Sequence, residues 1–206
     1  MTAIRDARVL PPVKKQVEHH DAMPWREVPA FYAQLATRSA MAAKALQFTT
    51  LTAARTSEVL EMTWPEVDVE TRLWTVPASR MKGGVEHRVP LTDEMLALLE
   101  PLRAMASTYV FEGQKRHQPL SNMSMLMLLR RMERKDVTVH GFRSSFRDWA
   151  AEEAGAPREL AEAALAHQVG SDVERAYARS DLLERRRLLM KDWSEYVFKI
   201  GSDGHS

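Results

Sequence analysis

His140-Gly141-Phe142-Arg143-Ser144-Ser145-Phe146-Arg147-Asp148-Trp149-Ala150 is the stretch from which the rest of the chain can be read. Phe142, Phe146, Trp149 and Ala150 recur at the three- and four-residue intervals of a single helix face. The spacing predicts a helix from His140 to Glu153, closed by Gly155, with that face buried. His140 and Arg143 stand three apart at its start, so their side chains share the opposite face. Alone, a His-x-x-Arg pair is satisfied by a cap or an ion pair. What lies on either side of it decides whether it is more.

Downstream, Pro157 suits the first turn of a helix running to about His167, a short helix is expected around Tyr177, and Asp181 to Phe198 predicts the last helix. Upstream, Ser121–Arg134 reads as one helix with Met125, Leu128, Leu129 and Met132 as its apolar stripe. Further back, Phe31, Leu35, Ala42, Ala45, Leu46 and Phe48 predict one or two alanine-rich helices between Val28 and Ala54. A short helix at Thr56–Met62 should stop near Trp64-Pro65, because the residue before proline avoids helical angles.

Between these helical halves the texture changes. Arg72–Val76 and Val85–Val89 are β-branched or aromatic runs, and Gly83-Gly84 between them permit a tight reversal. The expectation is a hairpin with Lys82 at its tip. Thr92 should cap a helix whose first turn holds Asp93 and Glu94, with Leu96, Leu99 and Leu102 following, and Tyr109–Phe111 reads as a short extended piece. The fold class is therefore α+β, mainly helical, with a small antiparallel sheet. Residues 1–23 mix charge with Pro11-Pro12 and His19-His20 and read as a linker or tail; 24–198 form one folded unit, and 199–206 a disordered C-terminal tail.

The chain has 206 residues, 45% hydrophobic and 28% charged, enough for one buried core. No cysteine is present, which excludes disulfides, thiolate chemistry and cysteine-ligated zinc. No apolar run would span a bilayer and no secretory leader is visible at the start, so a cytoplasmic setting is expected. The net charge of +1 does not itself call for nucleic acid. The cations are clustered, however: Arg130, Arg131, Arg134 and Lys135, then Arg143 and Arg147, then the triplet Arg185-Arg186-Arg187. Such clusters suit solvated helix faces and equally a surface that tracks phosphates.

Four further positions carry chemistry. Arg55 opens a helix and is followed at i+3 by Glu58, which can pair with the guanidinium and aim its planar fork at two phosphate oxygens. Lys82, on its glycine turn, is either a solvated loop lysine or a movable ammonium. His167 ends an alanine-rich helix, where a histidine can also satisfy carbonyls. Tyr177, in Glu174-Arg175-Ala176-Tyr177-Ala178-Arg179, lacks the apolar neighbours of a core tyrosine.

In this order, Ala54-Arg55-Thr56-Ser57-Glu58, Arg80-Met81-Lys82 with Glu86–Leu91, Val139–Arg143, Leu165-Ala166-His167 and Tyr177 resemble the catalytic domain of tyrosine recombinases. The likeness is to the prophage and genomic-island integrase branch, covers residues 24 to 198, and fills all six catalytic positions. It implies the tyrosine recombinase catalytic-domain fold, with the small sheet carrying Lys82. It also implies a DNA strand transferase, independent of metal, ATP and any cofactor, acting through a 3′-phosphotyrosine intermediate to integrate or excise a mobile element. Tyr177 would be the nucleophile, Arg55 and Arg143 the clamp on the scissile phosphate, and His140 the general acid/base beside the tyrosine. Lys82 would protonate the leaving 5′ oxygen, His167 would donate to a non-bridging oxygen, and Glu58 would support Arg55.

The implied partners are double-stranded DNA attachment sites, further copies of the chain in a tetramer on DNA with a monomer when free, and DNA-bending accessory proteins at the nucleoid. The region 181–198 would pack on a neighbouring copy. Relatives carry a core-binding domain before this part; only the charged 1–23 precedes it here, so weak DNA affinity is expected of the chain alone. Two departures stand out: many relatives have glycine at the position of Ala166 and histidine at that of Arg179. A type IB topoisomerase-like relaxation activity and a DNA-binding remnant without turnover are the competing readings.

Overall fold

In the computed structural model, which describes residues 21–105, 107–167 and 179–199, the alanine-rich region forms two helices, α1 (Val28–Ala36) and α2 (Met41–Thr52). Every residue from Ala45 to Thr52 is buried, so α2 runs through the core rather than over it. Its polar residues are satisfied internally: the hydroxyls of Thr49, Thr50 and Thr52 donate to the carbonyls four residues back at 2.7–2.9 Å. After α3 (Thr56–Leu60), a 3-10 turn at Trp64–Glu66 holds Pro65, and the chain enters the sheet.

The sheet has strands β1 (Val67–Asp68), β2 (Leu73–Val76) and β3 (His87–Pro90), antiparallel in that order, with Trp74 opposite Val89 and Val76 opposite His87. Trp74 and Val76 face the core. The expected hairpin pairing is present, but the reversal is not tight. The connection from Pro77 to Glu86 begins with a 3-10 turn at Ala78–Arg80, and Gly84 supplies a left-handed φ of 63°. Lys82 lies exposed midway along that connection, where the hairpin was expected to carry it.

Thr92 caps α4 (Asp93–Arg103), its hydroxyl accepting from Met95 N at 3.4 Å. The helix expected over Ser121–Arg134 is shorter, α5 (Ser124–Arg131). It stops because Glu133 turns left-handed (φ 58°), letting Arg134 N reach back to Leu129 O at 3.0 Å. Among the described residues, α6 (Gly141–Glu152), α7 (Arg158–Ala164) and α8 (Arg179–Phe198) follow. Phe142, Phe146, Trp149 and Ala150 are buried, as the spacing required.

Trp193 of α8 locks the helix onto the core. Its ring lies 5.0 Å from Trp149 and 5.6 Å from Phe146, and its Nε1 donates to Thr50 O at 2.9 Å. The segment 181–198, read from sequence as one that packs on a neighbouring copy, thus sits against α1, α2, α7 and β3 of its own chain. Asp21–Met23 are also part of the packed unit: Thr138 N donates to Asp21 O at 3.0 Å and Met23 is buried. This contact explains Gly141. A Cβ there would stand 2.4 Å from Asp21 O and 2.9 Å from Ala22 Cα, so only glycine lets α6 start beside that backbone.

Candidate active site

The site is built from the ends of helices. α2 stops at Ala53, which adopts φ 50°, and the chain swings outward so that Arg55 is extended and heads α3. Glu58, almost wholly buried, accepts the Arg55 backbone N–H at 2.9 Å and its Nη1 at 2.7 Å. One carboxylate therefore fixes both the start of α3 and the direction of the guanidinium. Arg80 extends the support: Nη1 donates to Glu58 O at 3.1 Å and Nη2 pairs with Glu66, which also accepts Trp74 Nε1 at 3.0 Å.

Arg143, on the first turn of α6, is buried. Its Nη1 donates to Ala53 O and its Nη2 to Leu165 O, both at 2.6 Å, and Nη2 also lies 3.1 Å from His167 Nε2. Arg55 Nη2 reaches the next carbonyl, Ala166 O, at 3.5 Å. The two guanidiniums are thus tied to consecutive residues of one turn. Burial, and then the neighbouring Arg55 charge, push the Arg143 guanidinium down to about 10, with Glu58 and Glu162 opposing; it remains a cation at neutral pH. Two like charges held this close favour an anion between them. Arg143 Nε is buried and has no acceptor among the described residues.

The turn receiving these arginines is a Schellman motif. Ala166 is left-handed (φ 52°), its N–H returns to Ala163 O at 3.2 Å, and His167 N–H returns to Glu162 O at 2.9 Å. The glycine that the family resemblance implies at this position has a physical reason. Left-handed geometry costs alanine about 1–2 kcal/mol, partly offset by the greater unfolded freedom of glycine. Ala166→Gly should therefore raise the melting temperature by about 1–3 °C, as differential scanning calorimetry can check. A lower midpoint would show that the turn is not strained.

His140 precedes α6 and shares with Arg55 a cleft of about 480 Å³, walled also by Ser57, Glu61, Leu120 and Asn122. Arg55 therefore stands between His140, across the cleft, and the turn that carries Arg143 and His167. Lys82 is not among them: it is exposed and makes no hydrogen bond or ion pair with the described residues. Tyr177 and the short helix expected around it lie outside the described residues, between His167 and α8. Among the described residues no cluster of histidine and acidic side chains could hold a metal ion, and no helix is long and apolar enough to cross a membrane.

His87 was given no role by the sequence. It is mostly buried beside the backbone of Ala164, one residue from the carbonyl that Arg143 takes. Burial, then Arg186, and less strongly Arg143 and Arg55, push its imidazole down to about 3. The folded value lies below the ordinary one, so the unfolded chain takes up this proton first as pH falls. The contribution is complete above pH about 6.5 and is lost toward 3, at up to about 1.4 kcal/mol per pH unit. His87→Gln should flatten the fall in chemical-denaturation stability between pH 6.5 and 4; an unchanged slope would contradict it. The apolar end of a strand with one histidine gave no signal for this.

Residues 22–184 match the phage integrase family. Prophage integrase IntA of Escherichia coli (strain K12) is 39% identical over 151 residues, covering 71% of this chain and 36% of that protein. The integrase of Shigella phage Sf6 is 32% identical over 185 residues, covering 85% of this chain and 47% of its own length. The chain thus spans less than half the length of these relatives. Among solved structures, a lambda integrase tetramer bound to a Holliday junction superposes with a TM-score of 0.59 at 17% identity, over 80% of this chain and 50% of that one. XerA recombinase superposes with a TM-score of 0.58 at 14% identity, over 87% and 67%. These likenesses establish the mainly helical fold with its three-stranded sheet.

Proposed function

Since the chain belongs to the phage integrase family, we propose that it is the catalytic part of a site-specific DNA recombinase that cleaves and rejoins strands through Tyr177. The observation that carries this reading is the anchoring of Arg55 and Arg143 on adjacent carbonyls of the turn that ends in His167. Two fixed forks beside an imidazole suit one tetrahedral anion, here the scissile phosphodiester.

In the proposed reaction the Tyr177 oxygen attacks phosphorus, the bond to the 5′ oxygen breaks, and a 3′-phosphotyrosine forms. A free phenol, pKa about 10, is about a thousandth ionised at neutral pH. His140 takes its proton as attack proceeds, while the arginines bind the charge that grows on the non-bridging oxygens. Lys82 gives a proton to the departing 5′ oxygen, which requires its exposed turn to move over bound DNA. The donation of His167 to a non-bridging oxygen needs a hydrogen at Nε2, the atom that faces Arg143 Nη2 at 3.1 Å in the chain without DNA. The reverse attack by another 5′ hydroxyl restores the backbone without ATP.

The partners on this reading are duplex attachment sites, further copies of the chain in a tetramer on DNA, and DNA-bending proteins at the nucleoid. Exchange of α8 between copies would have to reproduce the Trp193 contacts in the neighbour. The test is a nicked suicide duplex carrying the element's core site. Mass spectrometry should find the DNA remnant on the peptide containing Tyr177; an adduct on another residue would overturn the assignment.

A further inference from the structure

Glu162 sits three positions before Leu165, the residue that caps the C-terminal end of α7, and His167 two positions after it. In a Schellman turn these are the positions whose side chains meet, usually as an apolar pair. Here they meet as a polar pair. Glu162 accepts from His167 Nδ1, while its backbone carbonyl accepts the His167 N–H at 2.9 Å. Glu162 is largely buried and His167 about 38% exposed on its side chain, so the carboxylate is the fixed partner and the ring the one being held.

The second ring nitrogen makes the consequence specific. Nε2 lies 3.1 Å from Arg143 Nη2, and a guanidinium nitrogen can only donate. The ring must therefore present a lone pair at Nε2 and carry its hydrogen at Nδ1, where Glu162 accepts it. Without that acceptor the hydrogen is free to sit on Nε2, where two donors would face each other. Arg143 would then lose its brace beside the phosphate position.

We infer that Glu162 is a positioning residue that fixes the orientation and hydrogen location of His167, and through it the Nη2 end of Arg143. The inference rests on the recombinase reading for its consequence in catalysis, but its structural half does not. The ring nitrogen shifts of the 206-residue chain, labelled with nitrogen-15 histidine, report the hydrogen location without DNA. The wild type should show the Nδ1–H form at His167. Glu162→Ala should move it toward Nε2–H, and Glu162→Gln, whose amide oxygen still accepts, should restore it. Ala and Gln variants with the same ring signature as each other would overturn the inference.

The second arm measures single-turnover cleavage of the suicide duplex. Glu162→Ala should slow adduct formation by about 10- to 100-fold, the usual cost of losing a partner that orients a functional histidine. In a His167→Ala background the same substitution should change the rate by less than about 2-fold, because Glu162 then has nothing to orient. Equal slowing in both backgrounds would overturn the inference. If the ring signature moves as expected while the wild-type chain makes no adduct at all, the recombinase reading fails and the positioning of His167 stands.

Discussion

Replacing Tyr177 by phenylalanine should abolish the covalent protein–DNA complex, with the folded state and DNA affinity unchanged. The substitution deletes one oxygen and leaves a ring of the same shape. On the proposed mechanism no oxygen is then left to attack phosphorus, and arginines that bind only phosphoryl oxygens would not activate water in its place. A rate below about 10⁻⁴ of wild type is expected, the scale seen when a nucleophile is removed from such machinery. Gel separation of the adduct after incubation with the suicide duplex reads the result directly. An adduct that survives in the phenylalanine variant would refute the nucleophile assignment and, with it, the mechanism.

Arg143→Ala should act on two quantities at once. In the proposed reaction it removes a donor aimed at the phosphoryl oxygens, a loss of about 10²–10³ in rate. In the fold it strips Ala53 O and Leu165 O of their partner, contacts now made at 2.6 Å. Two buried carbonyls left unsatisfied cost about 1–3 kcal/mol each, offset by release of a guanidinium that burial makes expensive. A net loss of about 2 kcal/mol should lower the melting temperature by roughly 4–8 °C. Arg143→Lys keeps the charge but cannot span both carbonyls, so it should recover part of the stability and little of the rate. If alanine leaves either the rate or the melting point untouched, Arg143 is not at once a phosphate donor and the tie between α2 and α7.

The helices were legible because apolar periodicity is a local property. Phe142, Phe146, Trp149 and Ala150 fixed α6 and its buried face without any knowledge of what covered them. The pairing of β2 with β3 was legible for the same reason, whereas the length of its connection was not. The 3-10 turn at Ala78–Arg80 is held by Arg80 reaching Glu58 and Glu66, which are distant in sequence. The early end of α5 at Glu133 follows from a left-handed residue that glutamate does not advertise.

The site divides along the same line. Arg55 with Glu58 is a contact within one helical turn, and it was visible from the i to i+3 spacing. His87 under α7 and the carbonyls that receive the two arginines depend on which helix ends the fold brings together, and no spacing encodes that. The Glu162–His167 pair lay in between. Its five-residue interval becomes meaningful only once Ala166 is known to be left-handed.

Ala53 and Ala166, the two residues that end α2 and α7 with positive φ, present their own or adjoining carbonyls to the arginines. The aperture between the guanidiniums is consequently set by two chain reversals and not by the helices they terminate. On the proposed recombinase reading, a library that reshapes exposed helix surfaces to retarget DNA can therefore leave the two guanidiniums in place. Crowding either small residue with a β-branched side chain would shift the jaws themselves.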